Sequence, residues 1–85
     1  MKILYYSKFL REFKKLPTEI KQLAEEREKI FRKNSFDSRL KTHKLSGVLK
    51  GFWSFSLDYS YRIIFEFADD GIVRFYSIGN HDIYE

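Results

Sequence analysis

Proton transfer at neutral pH calls for an imidazole, and a developing negative charge calls for a fixed cation. The chain carries both in its C-terminal third. His81 stands in Ile78-Gly79-Asn80-His81-Asp82-Ile83-Tyr84, and Arg62 in Tyr61-Arg62-Ile63-Ile64-Phe65. Further cations, Arg39, Lys41, Lys44 and Lys50, bracket the second imidazole, His43. Each also has an ordinary reading. Arg62 can pair with Glu66 on the same strand face or with a cross-strand acid, His81 can be an exposed loop residue, Tyr84 can lay its ring over a sheet edge, and the lysines can be solubilising charges. Taken together they describe a basic, partly aromatic face with an imidazole, which suits single-stranded RNA: cations meet phosphate and rings stack on splayed bases. Other chemistries find less support. There is no Gly-rich phosphate loop, the two His lack carboxylates at ligand spacing, and Cys is absent, so no metal site and no cofactor is expected.

Such a face needs a sheet beneath it, and the residue pattern supplies one. Lys2 to Tyr6 read as a first strand, closed by Ser7, whose hydroxyl is expected to cap a helix. Phe9, Phe13 and Leu16 then recur at four and three residues, one helical face. Pro17 ends this helix and suits the first turn of the next, where Ile20, Leu23, Ala24, Arg27, Ile30 and Phe31 trace a second stripe to about Lys33. The two helices should form an antiparallel hairpin. Asn34 to Ser46 carries no periodic apolar signal and reads as a basic loop.

From Gly47 the period becomes two. Trp53, Phe55, Leu57 and Tyr59 alternate with Ser54, Ser56 and Asp58, and Tyr61, Ile63, Phe65 and Phe67 alternate with Arg62, Ile64 and Glu66. Trp53 is assigned to the core and Arg62 to the opposite face. Asp70-Gly71 signals a tight hairpin needing positive φ at both central positions, leading into a last strand, Ile72 to Ile78. The expected fold is α+β, in the order β-α-α-β-β-β: a largely antiparallel four-stranded sheet with a two-helix hairpin on one face.

At 85 residues, residues 1–85 are expected to make a single domain that buries roughly 60% of its unfolded surface. Hydrophobic residues at 44% and aromatics at 19% argue against disorder. The absence of Cys fits a reducing compartment, and the short apolar start fits neither a signal peptide nor a membrane span, so a cytoplasmic location and no membrane partner are expected. Sixteen Lys and Arg against twelve Asp and Glu give +4, compatible with a polyanion or an acidic protein partner.

His43-Lys44-Leu45-Ser46-Gly47, Trp53-Ser54, Tyr61-Arg62-Ile63-Ile64-Phe65 and Ile78-Gly79-Asn80-His81-Asp82, in this order and spacing, resemble the RelE/ParE toxin superfamily. The histidine after the last strand is similar to the YoeB and YafQ ribonuclease branches. The resemblance covers almost the whole chain, by residue type from His43 to Tyr84 and by pattern before that. It implies a RelE-like toxin of a type II toxin–antitoxin system: a metal-independent endoribonuclease that cuts messenger RNA, commonly on the ribosome, by attack of a ribose 2′-hydroxyl on the adjacent phosphate. It further implies a cognate antitoxin as partner, with operator DNA met only through the toxin–antitoxin complex. On this resemblance Arg62 matches the phosphate-binding arginine, His81 the catalytic position, and Tyr84 the terminal aromatic that stacks on a base or assists protonation. Arg39, Lys41, His43, Lys44 and Lys50 fall in the RNA-contacting segment. No carboxylate base carries over, Arg39 standing where the YoeB glutamate is matched, so Lys41, His43 or Lys44 is left to act as base or to orient RNA. Two other functions share the fold: a ParE-like gyrase inhibitor, and an inactive module that only binds an antitoxin within a repressor complex.

Overall fold

The computed structural model describes residues 1–80. Its elements run β1 (Lys2–Tyr5), α1 (Ser7–Lys14), α2 (Thr18–Lys33), β2 (His43–Lys44), a 3-10 turn (Gly47–Leu49), β3 (Trp53–Ser56), β4 (Arg62–Phe67) and β5 (Ile72–Gly79). The class is α+β as expected, but the sheet has five strands, ordered β1-β5-β4-β3-β2. The additional strand is β2, whose His43 and Lys44 pair antiparallel with Ser54 and Trp53. Two residues cannot display a period, so the sequence marks this stretch only as loop. β1 runs parallel to β5, and the remaining pairings are antiparallel.

One core cluster joins both halves of the chain, from Ile3 and Phe9 through Phe31 to Phe55, Phe65, Phe75 and Ile78. Phe31 is its centre: the ring lies 4.8 Å from Phe55, 4.9 Å from Phe65 and 5.7 Å from Phe75, so this one side chain of α2 meets all three central strands. Lys21 over the Phe13 ring and Tyr5 Oη donating to Glu28 place the start of each helix beside the end of the other, the antiparallel hairpin. Leu40, fully buried, is a core residue the aperiodic loop concealed, and its carbonyl accepts from Ser56 N at 2.7 Å, fastening the loop to the end of β3.

Three local expectations are corrected. Ser7 is the first helical residue and not the cap: Tyr6 occupies that position, still extended because its N–H donates to Phe75 O at 2.9 Å, and no side chain caps the helix. Pro17 likewise stands just outside α2, at ψ 150°, its carbonyl accepting from Ile20 and Lys21. β3 stops at Ser56, so Tyr59 does not continue an apolar face but stands 90% exposed at a turn, where Asp58 Oδ1 accepts from both Ser60 N and Tyr61 N. Asp70 and Gly71 do adopt φ of 59° and 73°, and close the β4–β5 hairpin.

Candidate nucleic-acid interface

Arg62 begins β4, with Ser56 of β3 and Gly79 of β5 as its cross-strand partners. Alternation turns it away from the core residues Ile63 and Phe65. The side chain is half-buried, and Nη1 donates to Ser56 Oγ at 2.9 Å. Its base is therefore packed on the sheet and oriented by a buried hydroxyl. Glu66, the pairing partner considered from sequence, takes other donors: Arg74 Nη1 at 3.5 Å and Tyr6 Oη at 2.9 Å. The bond to the Glu66 carboxylate, with some burial, pushes the Tyr6 phenol above its ordinary value.

The next row on this face is His43, Ser54, Ile64 and Ser77, aligned across β2 to β5. Ordinary sheet spacings put the Cα atoms of His43 and Arg62 roughly 12 Å apart, and Ser54, Ile64 and Ser77 in the row beside Arg62 are themselves buried. His43 is exposed, and its Nδ1 lies 2.9 Å from Lys41 O. A carbonyl only accepts, so Nδ1 is the donor in this bond and Nε2 is the ring nitrogen it leaves uncommitted to Lys41. Lys41 reaches this arrangement with φ 53°. Lys44, one residue on, points to the other face, its Nζ 5.4 Å above the Trp53 ring. Trp53 itself is only half-buried, packed against the core from the rim. Lys50 is exposed in the loop that follows.

Arg39 belongs elsewhere. It forms a two-pronged pair with Asp37, both contacts 2.9 Å, beside Lys29 and Lys33 of α2. The Arg39 side chain, then its backbone amide, hold the Asp37 carboxyl down at about 2. His81 and Tyr84 lie outside the described residues.

The residue that sequence reasoning passed over is Glu12. Along the α1 face it reads as one more surface acid, yet it reaches the sheet: Oε1 accepts from Ser77 Oγ at 2.8 Å and Ile78 N at 3.2 Å, while Oε2 pairs with Lys8 Nζ at 2.7 Å. The need for it arises from a β-bulge. Ile64 faces Ser77 but Phe65 faces Phe75, so Tyr76 is an extra residue in β5, and beyond it Ile78 returns to the core. Burial works to raise the Glu12 pKa, but the bonds from Lys8, Ser77 and Ile78 outweigh it, and the carboxyl sits below its ordinary value. A carboxylate so committed is a structural group. The displaced Tyr76 ring lies 4.9 Å from Phe52 and 5.1 Å from Tyr6, an aromatic band beside the Arg62 row.

The geometry thus joins a fixed guanidinium, an exposed imidazole and a band of rings on one sheet face. No family model matches the chain, and neither does any curated protein. Solved structures do. YafQ from Escherichia coli strain BL21(DE3) is 18% identical with a TM-score of 0.81, covering 98% of this chain and 96% of its own. A YoeB/ParE toxin from Agrobacterium tumefaciens is 14% identical with a TM-score of 0.80, covering 95% and 99%. The YoeB–YefM complex from Staphylococcus aureus gives 19% and 0.76, covering 95% and 97%. At these identities the shared property is the fold: the described residues have the RelE-like architecture of these toxins.

Proposed function

We propose that this chain is a type II toxin of the YoeB/YafQ kind: an endoribonuclease acting in the cytoplasm on messenger RNA, on the ribosome, and silenced by a cognate antitoxin. The observation that carries the reading is Arg62, oriented by Ser56 on the sheet face opposite the Phe31 core, in a chain sharing its fold with YafQ and YoeB over 95% or more of each. The antitoxin is supported by the YoeB–YefM complex among the matching structures. Among the described residues no helix is long and apolar enough to cross a membrane.

The chemistry assigns each group a step. His43 Nε2 takes the proton from the ribose 2′-hydroxyl, whose oxygen attacks the adjacent phosphorus. Arg62 stabilises the additional charge on the five-coordinate phosphate. His81 returns a proton to the departing 5′-oxygen, leaving a 2′,3′-cyclic phosphate and a 5′-hydroxyl. His81 follows Gly79, the cross-strand partner of Arg62, by two residues, a chain length of at most about 7 Å. Tyr84 stacks on a base or assists that protonation, and Lys41 and Lys50 hold flanking phosphates. Arg39, turned toward α2, guides RNA only at longer range.

The test is to incubate the purified chain with messenger RNA, with and without ribosomes, and to identify the fragment ends. His81→Gln, unable to titrate, is expected to slow cleavage by about 10²-fold or more with an unchanged thermal midpoint. Undiminished cleavage in this variant would sink the role given to His81, and toxicity of the parent chain without any RNA cleavage would favour gyrase inhibition.

A further inference from the structure

Away from the Arg62 row, a second surface gathers rings and cations. Phe36 on the loop after α2, Trp53 at the start of β3 and Phe67 at the end of β4 form a three-ring cluster, with centroids 5.5 Å (Phe36–Trp53), 5.2 Å (Trp53–Phe67) and 6.1 Å (Phe36–Phe67) apart. Unlike the rings around Phe31, these meet solvent: Phe36 is 57% and Phe67 41% exposed. Clustered apolar exposure of this kind marks a contact surface. A groove of about 780 Å³ runs from Trp53 and Phe67 past Lys44 and Lys50 to Phe52, and among the described residues no acid lines it. It rounds the sheet edge. Trp53 lies on the helix side, whereas the Phe52 ring meets Tyr76 on the Arg62 side. Gly51, at φ +97°, makes the corner, and a Cβ built there would meet nothing within 4 Å.

We propose that this edge groove is a second nucleotide subsite, which takes an unpaired base of single-stranded RNA flanking the nucleotide held at Arg62. The base stacks on the Phe36–Trp53–Phe67 surface, and Lys44 and Lys50 meet its phosphates. The inference rests on the ribonuclease reading above. Stacking on ring faces is open to every base, so the subsite tolerates sequence, while a duplex keeps its base faces stacked and cannot use it. Phe65, the partner of Trp53, lies three residues from Arg62 along β4, about 10 Å. Because the two sites open on opposite faces, the strand must cross the β2 edge, where His43 faces one side and Lys44 the other.

Trp53 is the chain's single tryptophan, so its emission reports stacking directly. The full chain is titrated with a single-stranded 2′-O-methyl RNA oligomer, which offers no attacking hydroxyl, then with a duplex and with an abasic ribose-phosphate strand of equal length. Cleavage of unmodified RNA is followed in parallel. The single strand is expected to quench Trp53, and the duplex and abasic strand are not. Phe36→Ser and Phe67→Ser, at exposed positions, each weaken binding of the oligomer by about tenfold, a stacking loss of about 1.4 kcal/mol. Lys44→Gln, which removes an exposed charge together with its contact to the Trp53 ring, lowers the salt slope of binding by about one. Cleavage without quenching overturns the subsite and leaves the ribonuclease standing. Quenching without cleavage supports the groove and overturns the ribonuclease. Equal quenching by the abasic strand, the duplex or anionic phospholipid vesicles overturns base stacking.

Discussion

Removing the Glu12 carboxylate, as in Glu12→Ala, strips acceptors from three donors: Ile78 N at the bulge, Ser77 Oγ and Lys8 Nζ. The Lys8 pair is an i,i+4 contact with the Lys side chain 41% exposed, and contributes only about 0.3–0.5 kcal/mol. The bulge amide is different. Its strand belongs to the buried end of β5, and a bond to an ionised acceptor stabilises by about 1.5–3 kcal/mol. A total near 2 kcal/mol lowers the thermal midpoint of a domain this size by roughly 8–16 °C. The effect depends on pH with a defined sign. Because the folded pKa lies below a free glutamate's ordinary value, the stabilisation is complete above that ordinary value and is lost as pH falls through the folded pKa. Thermal melts of parent and variant from pH 3 to 7 should therefore converge at the acid end. Cleavage should fall too, since the bulge sets Gly79 opposite Arg62. A midpoint unchanged at pH 7, or a gap that does not shrink toward pH 3, would refute the assignment of Glu12 as the bulge's acceptor.

Arg62→Ala should cost about 1.5 kcal/mol of stability through the Ser56 bond but about 2.7–4 kcal/mol of transition-state stabilisation, a 10²–10³-fold loss of cleavage with folding retained; equal losses in melts and rates would count against it. Phe31→Ala, which empties the centre of the aromatic core, should destabilise by about 3–5 kcal/mol in urea unfolding, and a cost under 1 kcal/mol would contradict the packing described. A cognate antitoxin should be acidic or amphipathic, cover the Arg62 face, and bind this +4 chain less tightly as salt rises; calorimetry showing salt-independent binding, or a complex leaving Arg62 open, would rule out inhibition by occlusion.

Local chemistry by itself determined much of this protein. The 3.6-residue stripes through Phe9 and Phe31, the alternation through Phe55 and Phe65, and Asp70-Gly71 each encode an element within a few residues of chain, and alternation alone put Arg62 opposite the core. What tertiary structure decided involves partners distant in sequence. β2 exists only because β3 lies beside His43 and Lys44, and Leu40 is held in the core with its carbonyl accepting from Ser56 N. Ser7 yields the cap to Tyr6 because Phe75 claims the Tyr6 amide. The Tyr76 bulge has no signature of its own, since one extra residue becomes visible only in register with β4, and Glu12 becomes its acceptor across 66 residues. Arg39 looked like one of a basic set, yet Asp37 turns it toward α2, because a single pair of short bonds decides which surface a flexible cation serves.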